Sequence, residues 1–293
     1  MDRHTKAYFY AILSTLLLPV GYIANTIVLR TANPLTAAMY MFTLTPIIAV
    51  LVTYVTGRKK KLVKAKKHWK GLALLGLLTS ISATTWFIGL SLVGPSTLGF
   101  LIRFVIVFTV ILGVIFLKET FNKLEALGIT AMIAGALIIS YKGTGFAAGA
   151  VLAIISALAF SIFSLKVKGY VKRMDPMVIN TGRLFFASPF VILFGLASGA
   201  FAPMPIESVL LISIAALSVV AGFTLMFKAY ENADLSKVAA IGSIEPLIIL
   251  VYSFAVFATL PSGLELAGGA IILAGTFLLI RFRKKPKVPA IEE

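Results

Sequence analysis

Long apolar runs are the feature that most constrains the fold of this chain. A helix needs roughly 20 predominantly apolar residues to cross about 30 Å of hydrocarbon, because each residue rises about 1.5 Å. The runs lack the period-two alternation of membrane strands, so they predict an all-α integral membrane protein. Ten spans are expected, at Ala7–Leu29, Leu35–Thr56, Gly71–Val93, Pro95–Leu117, Leu124–Tyr141, Phe146–Leu165, Met177–Ala197, Val209–Phe227, Val238–Ala258 and Leu264–Ile280.

Composition supports the same fold class and indicates which partners to expect. Hydrophobic residues make up 59% of the 293 residues, against about 45–50% in soluble domains. The net charge of +16 would suggest nucleic acid in a soluble protein. Here the basic residues form short clusters between apolar runs, which is typical of loops beside anionic lipids. We therefore expect a lipid bilayer as partner and no nucleic acid.

The positions of the basic residues predict the orientation in the membrane. If the N-terminus lies in the cytoplasm, all but four of the 27 Lys and Arg residues fall on the cytoplasmic side. Arg30 and Lys142 fall outside, while Arg103 and Arg183 lie within spans. By the positive-inside rule we expect a multi-pass protein of the cell (cytoplasmic) membrane with both termini in the cytoplasm.

The two halves of the chain resemble each other. Single residues recur at a shift of about 140 residues, as in the pairs Gly128 and Gly268, Gly135 and Gly275, Glu125 and Glu265, Phe87 and Phe227, and Pro34 and Pro176. We predict two five-helix repeats, residues 1–143 and 144–293. Because five is odd, the second repeat starts on the opposite side of the membrane. Such inverted repeats are typical of transporters, which bind substrate near the midplane.

Several motifs match a known family residue by residue. They comprise Pro176 with Arg183 seven residues later, Pro246 in span nine, Leu117-Lys118-Glu119 before Gly128, and Gly21 with Asn25 in span one. Together they resemble the drug/metabolite transporter superfamily in its ten-helix EamA-like form, over essentially the whole chain. The first repeat departs from the pattern, because Met41 stands where an arginine is expected after Pro34. The resemblance implies a transporter, often an exporter, of amino acids or other small metabolites.

Three charged residues within the spans are candidates for substrate binding, because charges at the bilayer centre are costly and usually face a cavity or a partner. Arg103 and Glu245 each lie about 10–12 Å from the start of their helix, so both fall near the midplane. Arg103 would bind an anionic group, and Glu245 an ammonium group or a coupling proton. The alternative is a permanent ion pair that stabilises the fold. Arg183 either has a role in substrate binding or gating, or extends its charged group toward the lipid headgroups.

Pro246 can interrupt span nine and expose backbone groups to a cavity, although a simple packing kink is the alternative. The remaining candidates for the substrate-binding cavity are polar or aromatic residues within spans: Asn25, Trp86, Phe100, Phe104, Ser164, Phe223 and Tyr252. On a continuous helix Phe100 and Arg103 would share one face. Packing against protein or lipid is the alternative reading for the aromatic rings.

The sequence favours transport over catalysis. It contains no nucleotide-binding glycine loop, no zinc-protease motif and no cysteine, and its two histidines, His4 and His68, lie in charged segments. We therefore expect no enzyme activity, no cofactor and no metal. The preferred function is a secondary transporter or facilitator of a small, amino-acid-like metabolite, in the direction of export or import, working by alternating access. An organic-cation or drug exporter and an intramembrane lipid-modifying enzyme are the alternatives.

Overall fold

The computed structural model describes residues 2–117, 122–140, 144–233 and 235–282, and within these ranges all regular structure is helical. A short 3₁₀ turn, Ala65–His68, joins the third helix to the fourth. The helices are α1 Arg3–Val28, α2 Pro34–Val55, α3 Lys59–Lys64, α4 Trp69–Leu101, α5 Phe104–Leu117, α6 Lys123–Ser140, α7 Thr144–Tyr170, α8 Pro176–Ala197, α9 Ile206–Asn232, α10 Leu235–Gly242, α11 Glu245–Phe257 and α12 Gly263–Phe282.

The predicted fold class is confirmed, because the described parts of all ten expected spans are mainly helical. In the residues that the structure describes, eight helices are long and apolar enough to cross a membrane, and the apolar segment Phe104–Ile115 is shorter. Lys118, Glu119 and Lys142, used in the sequence argument, lie outside the described residues, as do the boundary at residue 143 and the basic tail beyond residue 282.

Span three and the start of span four form one bent helix, α4. The bend lies at Gly94, whose φ of 76° is a conformation that L side chains rarely adopt. Pro95 follows immediately and begins the next helical segment, where its missing N–H costs nothing. Two helical segments therefore meet at Gly94 without a loop between them.

The expectation that span four is one continuous helix was wrong. The span consists of Pro95–Leu101 from the end of α4 and then α5, with an interruption at Ile102 and Arg103. Span nine is likewise divided into α10 and α11, with an interruption at Ser243 and Ile244. Spans four and nine are equivalent in the two repeats, so the structure contains a matched pair of broken helices.

The helices pack with the two-fold pseudosymmetry expected of inverted repeats. Helix α1 packs along α9, and its equivalent α7 packs along α4, while α2 pairs with α8 and α6 with α12. Individual hydrogen bonds follow the same symmetry. Ser14 Oγ donates to the carbonyl of Gly222 at 2.9 Å, and the equivalent Ser156 Oγ donates to the carbonyl of Ser82 at 2.8 Å.

Helices α6 and α12 approach so closely that only glycine fits between them. A Cβ atom added at Gly135 would lie 2.5 Å from the carbonyl oxygen of Gly268, and one at Gly268 would lie 2.6 Å from that of Gly135. Gly128 and Gly275 meet in the same reciprocal way, at 2.9 and 2.6 Å. The pairing of the first glycine of one helix with the last of the other shows that the two helices are antiparallel.

The junctions between α2 and α8 differ at the two ends of the bundle. At the end that carries Arg58–Lys70, here called the basic end, the Asp175 carboxylate accepts hydrogen bonds from Lys61 at 2.8 Å and from Arg58 at 3.2 Å. At the opposite end the contacts are uncharged. Thr36 donates to the carbonyl of Ala200, and Tyr40 stacks on Phe201 with ring centroids 6.4 Å apart.

Asp175 also caps α8, since it accepts a hydrogen bond from the backbone N–H of Met177 at 3.0 Å. Partial burial opposes ionisation of this carboxyl, but the hydrogen bonds from Lys61 and Met177 and the charges of Arg58 and Lys61 outweigh it. The pKa of Asp175 therefore lies below its ordinary value. A lowered pKa contributes stability above the ordinary carboxyl pKa of about 4, and that stability is lost as the pH falls through the folded-state pKa.

We predict that Gly135→Ala destabilises the fold by about 1–3 kcal/mol, because the new methyl group overlaps a backbone carbonyl that cannot move aside. The matched control is Gly263→Ala in the same pair of helices, where nothing lies within 4 Å of an added Cβ. The thermal midpoint of purified protein in detergent measures both effects. Equal midpoints for the two variants would contradict the close packing of α6 on α12.

We also predict a pH-dependent effect of Asp175→Asn. Asparagine caps helices as well as aspartate does, so the variant loses only the ion pairs, which are worth at most about 1 kcal/mol near the surface. Its thermal midpoint should lie below that of the unaltered protein at about pH 7. The difference should narrow as the pH falls below about 4 and disappear below the folded-state pKa of Asp175, where the native carboxyl group is also protonated. A difference that persists in acid would show that the ion pairs are not its cause.

Candidate functional site

A central cavity of about 250 Å³ lies between the two repeats. Its wall is mostly apolar and includes a few polar and charged side chains, as in many small-molecule sites. Residues that line it include Tyr22, Asn25, Met41, Trp86, Ile102, Arg103, Phe160, Phe163, Arg183, Phe223, Tyr230, Gly242 and Glu245. Both repeats therefore contribute to one site, as the inverted topology predicts.

The interruption of span nine at this cavity follows from Pro246. In a continuous helix the N–H of residue 246 would donate to the carbonyl four residues earlier, which belongs to Gly242. Proline has no N–H, so that carbonyl lacks its helical partner. Arg103 Nη1 fills the gap and donates to the Gly242 oxygen at 2.8 Å. Pro246 itself is buried near the start of α11.

The two opposite charges expected near the midplane lie in direct contact. Arg103 Nη2 and Glu245 Oε2 are 2.8 Å apart, and each side chain is 12% exposed. Arg103 lies in the break of span four and Glu245 begins α11, so the ion pair joins the two broken helices across the repeat interface. Arg103 Nε is buried and has no protein hydrogen-bond partner.

Arg183 is 3% exposed and forms part of the cavity wall. Its Nε donates to Asn180 Oδ1 at 2.9 Å, and its Nη1 donates to Thr79 Oγ1 at 3.3 Å. The third nitrogen, Nη2, is buried and has no hydrogen-bond partner within the described part of the chain. Of the two sequence interpretations of Arg183, extension to the headgroups is excluded by this burial.

Three phenylalanine rings surround the guanidinium of Arg183. Its Cζ lies 4.2 Å from the ring centroid of Phe223, 5.2 Å from that of Phe163 and 5.6 Å from that of Phe227. These are cation–π distances. No carboxylate in the described part of the chain lies within ion-pair distance of Arg183, since the ion pairs there belong to other residues.

Three further predicted residues also line the cavity. Phe223 does so as part of the cage around Arg183, and Trp86 packs edge-on against Tyr22 with ring centroids 4.8 Å apart. Asn25 is buried, and its Oδ1 has no protein hydrogen-bond partner. Among the described residues, the side chains that line the cavity thus include one buried amide oxygen without a partner, in addition to the buried guanidinium nitrogens of Arg103 and Arg183.

Four predicted residues lie elsewhere, contrary to expectation. Phe100 packs against Gly269 of α12, where its ring leaves no room for a Cβ atom, and Phe104 belongs to the buried apolar core. The hydroxyl of Tyr252 lies 3.5 Å from the carbonyl oxygen of Leu16 in α1, and Tyr252 does not line the cavity. Ser164 is buried beside Tyr230 and does not itself line the cavity.

The sequence did not predict Phe160 and Phe163 as cavity residues, nor Asn180 and Thr79 as partners of Arg183. A signal for the aromatic residues was present. Phe160 and Phe163 are spaced i, i+3 on one helix, and Phe223 and Phe227 are spaced i, i+4 on another, so each pair presents two rings on one helix face. Nothing in the sequence indicates that the two faces meet.

Comparison with known proteins gives a consistent result. The model of the EamA-like transporter family matches residues 5–141 and 147–281. An uncharacterized transporter of Archaeoglobus fulgidus is 25% identical over 287 residues, covering 94% of this chain and 97% of that protein. The uncharacterized transporter YvbV of Bacillus subtilis (strain 168) is 26% identical and covers 73% of each chain. A superposition on one crystal structure covers 94% of this chain and 96% of the chain in that structure. The TM-score is 0.66 at 16% identity, which indicates a shared fold.

Proposed function

Since this chain belongs to the EamA-like transporter family, we propose that it is a secondary transporter or facilitator that moves a small metabolite by alternating access. The observation that carries the proposal is the meeting of two broken helices, one from each repeat, through the Arg103–Glu245 ion pair at the central cavity. Broken helices at a midplane site are a recurring device of transporters. The basic end would face the cytoplasm.

Alternating access requires the two repeats to move relative to each other around the cavity. Because Arg103 and Glu245 belong to different repeats, any such motion changes the environment of both charges. When the pair separates, Glu245 becomes available for an ammonium group or a coupling proton, and a guanidinium of the cavity becomes the partner of a carboxylate. An amino-acid-like substrate has both groups, so it is the favoured class.

The alternatives receive less support from the site. When Arg103 and Glu245 separate, an organic cation would pair with Glu245 only and leave the guanidinium without a partner, whereas an amino-acid-like substrate also supplies a carboxylate. A lipid-modifying enzyme needs catalytic polar groups near one membrane interface, whereas Arg103 and Glu245 lie at the helix breaks of the two repeats and Arg183 lies within α8.

The first test is counterflow in proteoliposomes preloaded with an unlabelled solute. Labelled amino acids, organic cations and nucleotides would be offered outside, with protein-free liposomes as control. Saturable exchange of amino acids is expected. Exchange of organic cations alone would favour the drug-exporter alternative, and no exchange of any solute by correctly inserted protein would contradict the proposal.

The second test separates a substrate role of the ion pair from a structural role. Arg103→Gln or Glu245→Gln alone leaves an uncompensated buried charge, which destabilises a protein by about 3–5 kcal/mol. The double variant Arg103→Gln/Glu245→Gln removes both charges and should recover most of the thermal stability. We expect its counterflow to remain at least about tenfold below that of the unaltered protein. Normal counterflow by a stable double variant would assign the pair to folding alone.

A further inference from the structure

The charges of the cavity do not cancel. Of the charged side chains that line it, Arg103 and Glu245 neutralise each other at 2.8 Å, whereas Arg183 has no carboxylate within ion-pair distance among the described residues. A buried charge without a partner is costly in an apolar environment. The cavity therefore has one uncompensated positive charge, on Arg183.

The surroundings of Arg183 fix its guanidinium in one orientation. Asn180 holds Nε and Thr79 holds Nη1, so the group cannot rotate without losing hydrogen bonds. Asn180 is itself fixed, because its amide nitrogen donates to the carbonyl of Val220 and to Thr224, both at 3.0 Å. The one nitrogen left over, Nη2, is the buried donor without a protein partner.

This arrangement exists in only one of the two repeats. The positions equivalent to Arg183, Phe163 and Phe223 under the repeat shift of about 140 residues are occupied by Met41, Gly21 and Ala83, which also line the cavity. The first repeat thus presents neither the charge nor the rings of Phe163 and Phe223 at the equivalent place, and of the three rings only Phe227 has an equivalent, Phe87. The scaffold is symmetrical, but the cation with its aromatic rings is a single, local feature.

We infer that Arg183 is the anion subsite of the cavity and binds the carboxylate of a small amphipathic substrate, whose apolar part lies against Phe163 and Phe223. The inference rests on the proposed transport function. It assigns to Arg183 the anion-binding role that the sequence suggested for Arg103, which is already committed to Glu245 and to the Gly242 carbonyl.

The chemistry of the subsite favours a carboxylate over other anions. One free nitrogen and one uncompensated positive charge match a single negative charge, whereas a phosphate dianion would bring two charges to one cation. Charge-assisted hydrogen bonds from a guanidinium to a carboxylate are among the stronger polar contacts in proteins. The cavity volume of about 250 Å³ and its apolar wall suit a small molecule with a hydrocarbon part.

Equilibrium binding in detergent tests the inference without requiring transport. The chain has two tryptophans, and Trp86 lines the cavity while Trp69 is exposed near the basic end. In a Trp69→Phe background, the fluorescence of Trp86 therefore reports on the cavity. The probes are four molecules of similar shape: leucine, isocaproate, isocaproamide and isoamylammonium.

We expect leucine and isocaproate to bind, and isocaproamide and isoamylammonium to bind at least about tenfold more weakly, because only the first two offer a carboxylate. Arg183→Gln should weaken carboxylate binding by at least about tenfold and leave the amide unchanged. Arg183→Lys keeps the charge and should retain part of the affinity. The matched control is Arg30→Gln, since Arg30 also lies over an aromatic ring, that of Phe257 at 4.3 Å, but away from the cavity.

Several results would overturn the inference. They are equal binding of isocaproate and isocaproamide by the unaltered protein, preference for isoamylammonium, failure of both carboxylates to bind, or undiminished carboxylate binding by Arg183→Gln. If Arg183→Gln does not fold, the probe comparison on the unaltered protein and Arg183→Lys still decides. Arg183-dependent binding without counterflow would overturn the transport proposal alone, whereas counterflow that Arg183→Gln leaves intact would overturn only the subsite.

Discussion

The hydrogen bond between Arg103 and the carbonyl of Gly242 is the contact on which the centre of the molecule depends. Pro246 cannot donate to that carbonyl, so span nine is broken and an unpaired acceptor is left in a low-dielectric environment, where it would cost several kcal/mol. Arg103 supplies the missing donor. A buried guanidinium then needs a counter-ion, which Glu245 provides at the start of α11. Pro246 thus leaves a carbonyl that needs the donor of Arg103, and the charge of Arg103 in turn needs the carboxylate of Glu245.

The features that sequence could predict are those set by local chemistry. Span positions follow from run length, and the reciprocal contacts of Gly135 with Gly268 follow from a spacing that recurs in both halves. The break in span four could not be predicted in this way, because it depends on the contacts of Arg103 with Gly242 and Glu245, which belong to the other repeat. A continuous helix would have placed Phe100 and Arg103 on one face. The interruption between them leaves Phe100 against α12, while Arg103 reaches the cavity.

The repeats share their packing contacts but not their chemistry. The hydrogen bonds of Ser14 and Ser156 are equivalent, as are the positions of the two helix breaks. By contrast, Asp175 forms ion pairs at the basic end, whereas the equivalent junction at the other end is held by uncharged groups. The frame is therefore nearly symmetrical, whereas the unequal side chains make the two ends and the two halves of the cavity chemically distinct.

Arg183 shows how such a frame can hold an uncompensated charge. Insertion of an arginine at the bilayer centre costs about 2.5–3.5 kcal/mol on translocon scales. Cation–π contacts stabilise a buried cation by about 0.5–2 kcal/mol, and each hydrogen bond to a charged group contributes about 1.5–3 kcal/mol. The rings and the two side-chain acceptors are therefore sufficient to keep the guanidinium in place. These contacts involve the face of the guanidinium and two of its nitrogens. They also fix the position of the third nitrogen, Nη2, which itself forms no hydrogen bond to the described residues. The groups that stabilise the charge therefore also prearrange it for a ligand, which lowers the entropic cost of binding.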